Sequence, residues 1–351
     1  MRLARRLPAI LLLALLVAGR ASAKEPAPKG PPKQNSSDKL FLWKVTPRAG
    51  KTAVYLLGSI HAGSRDFYPL PTEIEDAFAG CQVLAVEVDL AAQDQAALQE
   101  LLQDKGVYAG NDTLARHVSP ATYRRVGGYA AELGLPTVLT DRLRPWALNV
   151  MITMLEAQHA GLKPELGIDQ HFLDLAKDSY GENKKSVVEL ESAEAQLDLL
   201  AGFPDKQQAE LLDATLEGAG RTKEALARLV DAWKSGDADA MHRITAADPV
   251  KKRPALKPVF QKLVDDRNAT MTKKIEAFLK SRKPTFVVVG AGHLSGPNSI
   301  PRLLQKRGHQ VEQVRRKAAE PEPADAAPAE GSGRDGAKPA DSKRPRVPAQ
   351  P

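Results

Sequence analysis

Two short runs constrain the fold more than anything else in this sequence. VLAVEV, inside a strand-like stretch from Gln82 to Leu90, and PTFVVV, from Pro284 to Val289, are almost continuously apolar. Runs of that length suit strands covered on both faces. They lie far apart in the chain, and most of what separates them has helical periodicity: Leu90 to Asp104, Pro120 to Leu133, Pro145 to Ala160, Ile168 to Ser179, Ala193 to Leu200 and further stretches to about residue 281. SVVELE, from Ser186 to Glu191, is one strand-like interruption. Ahead of the first run, Leu40 to Thr46 and Thr52 to Leu57 flank a turn-rich Pro47 to Lys51 and predict a hairpin; a short helix follows from Pro71 to Ala79. After the second run come a helix from Ile300 to Arg307 and a last strand from His309 to Val314. The expectation is a mixed α/β fold whose central mixed sheet is built from N- and C-terminal strands around a large helical insertion.

The folded domain is expected over residues 39 to 316. The first 23 residues have a basic start, an apolar run from Pro8 to Gly19 and Ala21, Ser22, Ala23 in a small-x-small pattern, the features of a cleaved export leader. That run is too short for a membrane anchor, which needs roughly 20 apolar residues. The expected location is therefore periplasmic or secreted. Residues 24 to 38, rich in Pro, Lys and Ser, and 317 to 351, rich in Ala, Pro, Glu, Asp and Gly, lack apolar periodicity and have the composition of a disordered linker and tail. The formal charge of +7 falls to +3 once Arg2, Arg5, Arg6 and Arg20 leave with the leader, and no nucleic-acid motif or basic aromatic stripe supports a nucleic-acid partner. Cys81 is the sole cysteine, so stability rests on a packed core, and its place at the start of a strand marks it as a small buried hydrophobe.

Chemistry concentrates at the strand ends. One apolar strand closes in GSIH, Gly58 to His61, and another in GAGH, Gly290 to His293. Each places a histidine just beyond the carboxyl end of a buried strand, where open α/β sheets bind ligands. Glu87 interrupts VLAVEV, and an unpaired carboxylate in a buried strand would cost several kcal/mol. Something cationic must stand beside it: a structural arginine such as Arg267 or Arg144, or a metal. Two imidazoles and a carboxylate form a ligand set for Zn, Mn, Co or Fe. No HExxH, paired-cysteine, GxSxG or phosphate-loop motif is present. Asp169 and Glu191 are candidates to orient a ligand histidine through its second nitrogen, or to cap a helix start. His171 is close enough in sequence to Asp169 to be drawn in; His117, His159, His242 and His309 have surface-like contexts; Trp43, Trp146 and Trp233 read as core or groove walls.

The segment YLLGSIHAGSRDFYPLPTEIEDAFAGCQVLAVEVDL resembles the opening signature of the TraB/GumN family, and FVVVGAGHLSGPNSIPRLLQKRGHQVEQV resembles its closing one, GxxHLxGPxxxxxLLxxxGxxVE. Between them the helical middle agrees loosely, through RPW at Arg144 to Trp146, GID at Gly167 to Asp169, LES at Leu190 to Ser192, and Arg267 with Asn268 ahead of Met271. The family is related to the Tiki-type metalloproteases and more distantly to erythromycin-esterase-like and haem-binding ChaN-like proteins. The resemblance implies His61 and His293 as ligands of a divalent metal, Glu87 as ligand or general base, and Arg267 and Asn268 as candidates for holding an oxyanion or substrate carboxylate, although their helical placement equally allows a structural role. It implies a metal-dependent hydrolase, a peptidase first of all, acting on a peptide or protein. The alternatives are a non-catalytic haem-, metal- or peptide-binding protein of the cell envelope, or an accessory factor in polysaccharide export.

Overall fold

The computed structural model describes residues 38–48 and 52–317. The expected leader, most of the expected linker and the residues past Lys317 lie outside the described residues. Among the described residues, no helix is long and apolar enough to cross a membrane.

Six strands form one sheet: β1 (Lys39–Thr46), β2 (Val54–Ser59), β3 (Val83–Val86), β4 (Ser186–Glu189), β5 (Thr285–Gly290) and β6 (Gln310–Arg315), in the order β4-β3-β5-β2-β1-β6. The predicted hairpin is present as the antiparallel pair β1 and β2, and β6 is antiparallel to β1. The remaining pairs are parallel. β5, from the far end of the domain, inserts between β2 and β3, so every residue of it is buried. This is why PTFVVV alternates so little. The mixed sheet, its assembly from both ends of the domain and its helical insertion are as the sequence predicts.

The helices that matter for the site are α1 (Thr72–Ala79), α2 (Gln95–Gly106), α3 (Pro120–Glu132), α4 (Pro145–His159), α5 (Ile168–Lys177), α6 (Ala193–Ala201), α7 (Asp205–Glu217), α8 (Thr222–Lys234), α9 (Arg267–Lys280) and α10 (Ile300–Lys306). α1, α5, α8, α9 and α10 pack on the strands through Phe78, Phe172, Trp233, Ile275 and Leu304, forming the sheet core. A separate cluster joins Trp146, Val150 and Met154 of α4 to Ala62, Val88 and Leu90, which follow β2 and β3. The insertion thus has a core of its own, and that core begins at residues adjacent to His61 and Glu87. Immediately before α9 the chain widens into a π-helical segment, Gln261–Asp266, a distortion that often accompanies functional sites.

Close packing explains the first motif glycine. A Cβ on Gly58 would stand 2.4 Å from Phe41 Cδ1 and 2.8 Å from Cε1, inside the buried hairpin. Gly58→Ala is therefore expected to destabilise the chain by about 1–3 kcal/mol through forced displacement of the ring. An unchanged urea midpoint would show that the hairpin yields freely.

Candidate metal centre at the carboxyl edge of the sheet

Parallel strands β2, β5 and β3 are immediate neighbours, so their carboxyl ends share one edge. His61 follows β2 by two residues, Glu87 follows β3 directly, and His293 sits in a 3-10 turn after β5. Glu87 is not inside its strand, as the apolar pattern suggested, but one step past it. Its carbonyl still accepts from the Glu191 amide, so the β3–β4 pairing carries on beyond the strand ends and holds it in place. Relative exposures of 7% for His61, 3% for Glu87 and 2% for His293 show how fully the insertion covers this edge.

Gly290 is the hollow around which the three side chains gather. A Cβ there would stand 3.0 Å from His61 Nε2, 3.2 Å from Glu87 Oε1 and 3.7 Å from His293 Cδ2. The Gly290 amide donates to Glu87 Oε1 at 2.5 Å, and His293 Nε2 is 3.7 Å from the same oxygen. That imidazole nitrogen is buried and has no hydrogen-bond partner.

Each group is held from behind. His61 Nδ1 lies 3.2 Å from Asp169 Oδ1, at the start of α5, and 3.4 Å from Ser59 Oγ. His293 Nδ1 is 2.7 Å from Asn268 Oδ1, and Asn268 Nδ2 donates to the Asn298 carbonyl at 2.9 Å. Arg267 Nη2 donates to Glu87 Oε2 at 2.7 Å and to Glu191 Oε2 at 2.5 Å, its Nε reaches both oxygens of Glu191, and Nη1 caps the Leu263 carbonyl. Arg267, not Arg144, is thus the buried partner of Glu87; the Arg144 guanidinium lies over the Tyr108 ring. Asp169 does stand behind a histidine. Glu191 instead grips Arg267 and accepts from Gln196, and the amide behind His293 comes from Asn268. Of the two roles the sequence left open for Arg267 and Asn268, oxyanion holder or structural support, the contacts of their side chains with Glu87, Glu191, His293 and Asn298 correspond to the second.

Burial alone would raise the Glu87 carboxyl, but His293, Arg267, His61 and the Gly290 amide together pull it down to about 2. Burial pushes His293 down to about 4, against the attraction of Glu87. Burial also pushes His61 down, yet Asp169 and Glu87 outweigh it and leave this histidine above its ordinary value. At neutral pH Glu87 is ionised against the permanent charge of Arg267, and His293 is neutral.

The donor set suits a divalent ion in chemistry, and the orphaned His293 Nε2 and the missing Cβ at Gly290 leave a place for one. It is not a finished cage. Among the described residues, no three or more His, Cys, Asp or Glu side chains are grouped closely enough to hold a metal as they stand. Both Glu87 oxygens are already engaged, Oε2 by Arg267 and Oε1 by the Gly290 amide.

The pattern of the TraB/PrgY/gumN family matches residues 41–313. The chain belongs to this family. The match spans both GxxH strand ends and the insertion between them. An uncharacterized protein of Escherichia coli (strain K12), YbaP, is 28% identical over 256 residues, covering 73% of this chain and 89% of its own. An uncharacterized protein of Treponema pallidum (strain Nichols) is 23% identical over 277 residues, covering 76% of this chain and 80% of its own. No solved structure matches.

Other residues singled out from the sequence lie elsewhere. His171 packs against the Tyr68 ring at 4.9 Å and the Phe172 ring at 5.0 Å. His117 bridges Asp112 and Asp205, and His309 approaches Glu276. Trp43, Trp146 and Trp233 are buried, and Trp233 Nε1 donates to the Gly58 carbonyl at 2.6 Å. The Cys81 thiol is buried and pushed up to about 11, which makes it inert.

Proposed function

We propose that this TraB/PrgY/gumN-family chain is a metal-dependent hydrolase of peptide substrates that acts after export. The observation that carries the reading is the meeting of His61, Glu87 and His293 around Gly290, with His293 Nε2 buried and unpartnered. His61 and His293 would hold a divalent ion of the Mn, Co, Zn or Fe kind, with Glu87 Oε1 as the third donor. When bound, such an ion lowers the pKa of water and polarises a carbonyl. Glu87 serves better as an anionic donor than as a base, because a carboxyl held near pH 2 accepts a proton poorly at neutral pH. Asp169 and Asn268 orient the imidazoles. Arg267 keeps Glu87 ionised and aimed at the hollow. Location outside the cytoplasm rests on the leader-like first 23 residues.

A second reading is favoured by the near-complete burial of the cluster, which leaves little of it open to a peptide bond. It is a non-catalytic protein that retains a metal. Metal analysis of the purified full chain separates these ideas. About one equivalent of divalent ion is expected, reduced at least tenfold in affinity in Glu87→Gln. Metal-dependent cleavage of a mixed peptide library establishes the hydrolase, and metal without cleavage establishes the second reading. A chain that takes up no Mn, Co, Zn or Fe sinks both and leaves Glu87 as the partner of Arg267 alone.

A further inference from the structure

We propose that Asn268 is a positioning residue that fixes the proton of His293 on Nδ1, and that the Asn298 main-chain carbonyl makes this choice one-way. A side-chain amide has one end that only donates and one that only accepts. Asn268 is fully buried, at 0% exposure, in the first turn of α9. Its two ends face two different groups: the Asn298 carbonyl at 2.9 Å and His293 Nδ1 at 2.7 Å. A carbonyl oxygen can only accept, so it takes the NH2 end. The oxygen end is thereby turned to the imidazole and can only accept from it.

A neutral imidazole carries one proton, on one of its two nitrogens. With that proton on Nδ1, the lone pair is on Nε2, the nitrogen that is buried without a partner beside Glu87 Oε1. Turning the amide over would set two oxygens against each other at Asn298 and lose a buried hydrogen bond, a cost of about 1–3 kcal/mol. Either proton position is otherwise open to a neutral imidazole.

The arrangement also gives a reason for the composition of GAGHLSGPN. One short segment presents the imidazole and, after turning at Gly296 with its φ of 87°, returns the carbonyl that orients the amide behind it. The two histidines are backed by unlike groups, a carboxylate for His61 and an amide for His293. Only the second depends on a relay. The tautomer follows from geometry alone, whereas its consequence for metal affinity rests on the proposed function.

The test begins with the unaltered protein. Long-range imidazole proton–nitrogen correlation spectra of the 15N-labelled full chain, stripped with a chelator and held at pH 7.5, report which ring nitrogen is protonated. His293 is assigned by the signals lost in His293→Gln. The expected result is a single tautomer with Nδ1 protonated and Nε2 bare. A protonated Nε2, or an averaged mixture, overturns the proposal without any Asn268 variant having to fold.

Asn268→Leu is expected to release the tautomer into a mixture and to weaken Zn or Mn binding by roughly 10–100-fold. Retention of both the single tautomer and full affinity in that variant also overturns it. If the wild-type spectrum shows the expected tautomer and no ion binds at all, the positioning stands and the metal reading fails.

Discussion

Arg267→Met is expected to lower the unfolding free energy by about 3–5 kcal/mol, the range for breaking a buried ion pair by removing one partner. Arg267 is 8% exposed, and its guanidinium is the meeting point of two carboxylates, Glu87 at 2.7 Å and Glu191 at 2.5 Å. Methionine roughly fills the volume and supplies no charge. Glu87, at 3% exposure, would then be buried without its permanently charged partner and would either unfold the edge of the sheet or take a proton. Lysine is a poor substitute, because one ammonium cannot present the fork that serves both carboxylates. By contrast, the exposed pair of Lys234 and Asp66 should be worth no more than about 1 kcal/mol. The measurement is urea unfolding at pH 7.5 of Arg267→Met and of Arg267→Met with Glu87→Gln. The double variant should recover part of the loss, because the charge left stranded is gone. A single-variant loss below about 1 kcal/mol would mean that the site admits water freely and that Glu87 is not a desolvated charge.

How much of this was legible in the sequence depends on how local each signal is. The hairpin β1–β2, the buried β3 and β5 and the histidines past β2 and β5 follow from short-range patterns, and their placement agrees with the structure. Family resemblance gave the pairing of the two GxxH ends a reason, but adjacency required β5 to insert between β2 and β3. No periodicity encodes that order. Glu87 was legible as a buried charge in need of a cation, yet the choice between Arg144 and Arg267 was not. Arg144 precedes α4 and turns to Tyr108, while Arg267 opens α9 and turns to the sheet. Side-chain partners of that kind are set by how the insertion docks. Asn268 shows the same limit: its residue type fits an oxyanion holder, and only the positions of His293 and Asn298 reveal an amide occupied at both ends.

The other large effect is on acid stability of the metal-free chain, and its sign differs from that of a surface histidine. His293 has its pKa lowered from 6.5 to about 4 by burial, so the folded state binds its proton less readily than the unfolded state. The stability this histidine contributes is complete above about pH 6.5 and is lost as the pH falls towards 4. Glu87, lowered from 4.5 to about 2, contributes stability that is complete above about pH 4.5 and is lost as the pH falls further. Each shift corresponds to about 3 kcal/mol when taken alone. The two groups face each other at 3.7 Å, so the losses do not add. A proton on His293 is partly compensated by Glu87, and protonating Glu87 removes that compensation. Urea unfolding at pH 7.5, 5.5, 4 and 3 should show stability falling in two overlapping steps, the upper below about pH 6.5 and the lower below about pH 4.5. His293→Gln is expected to flatten the upper step and Glu87→Gln the lower. A wild-type curve that is flat between pH 7.5 and 5 would require a His293 proton that costs nothing on folding, and with it an imidazole in contact with water. The buried, unpartnered Nε2 predicts the reverse, because any proton placed there must either find Glu87 or open the edge of the sheet.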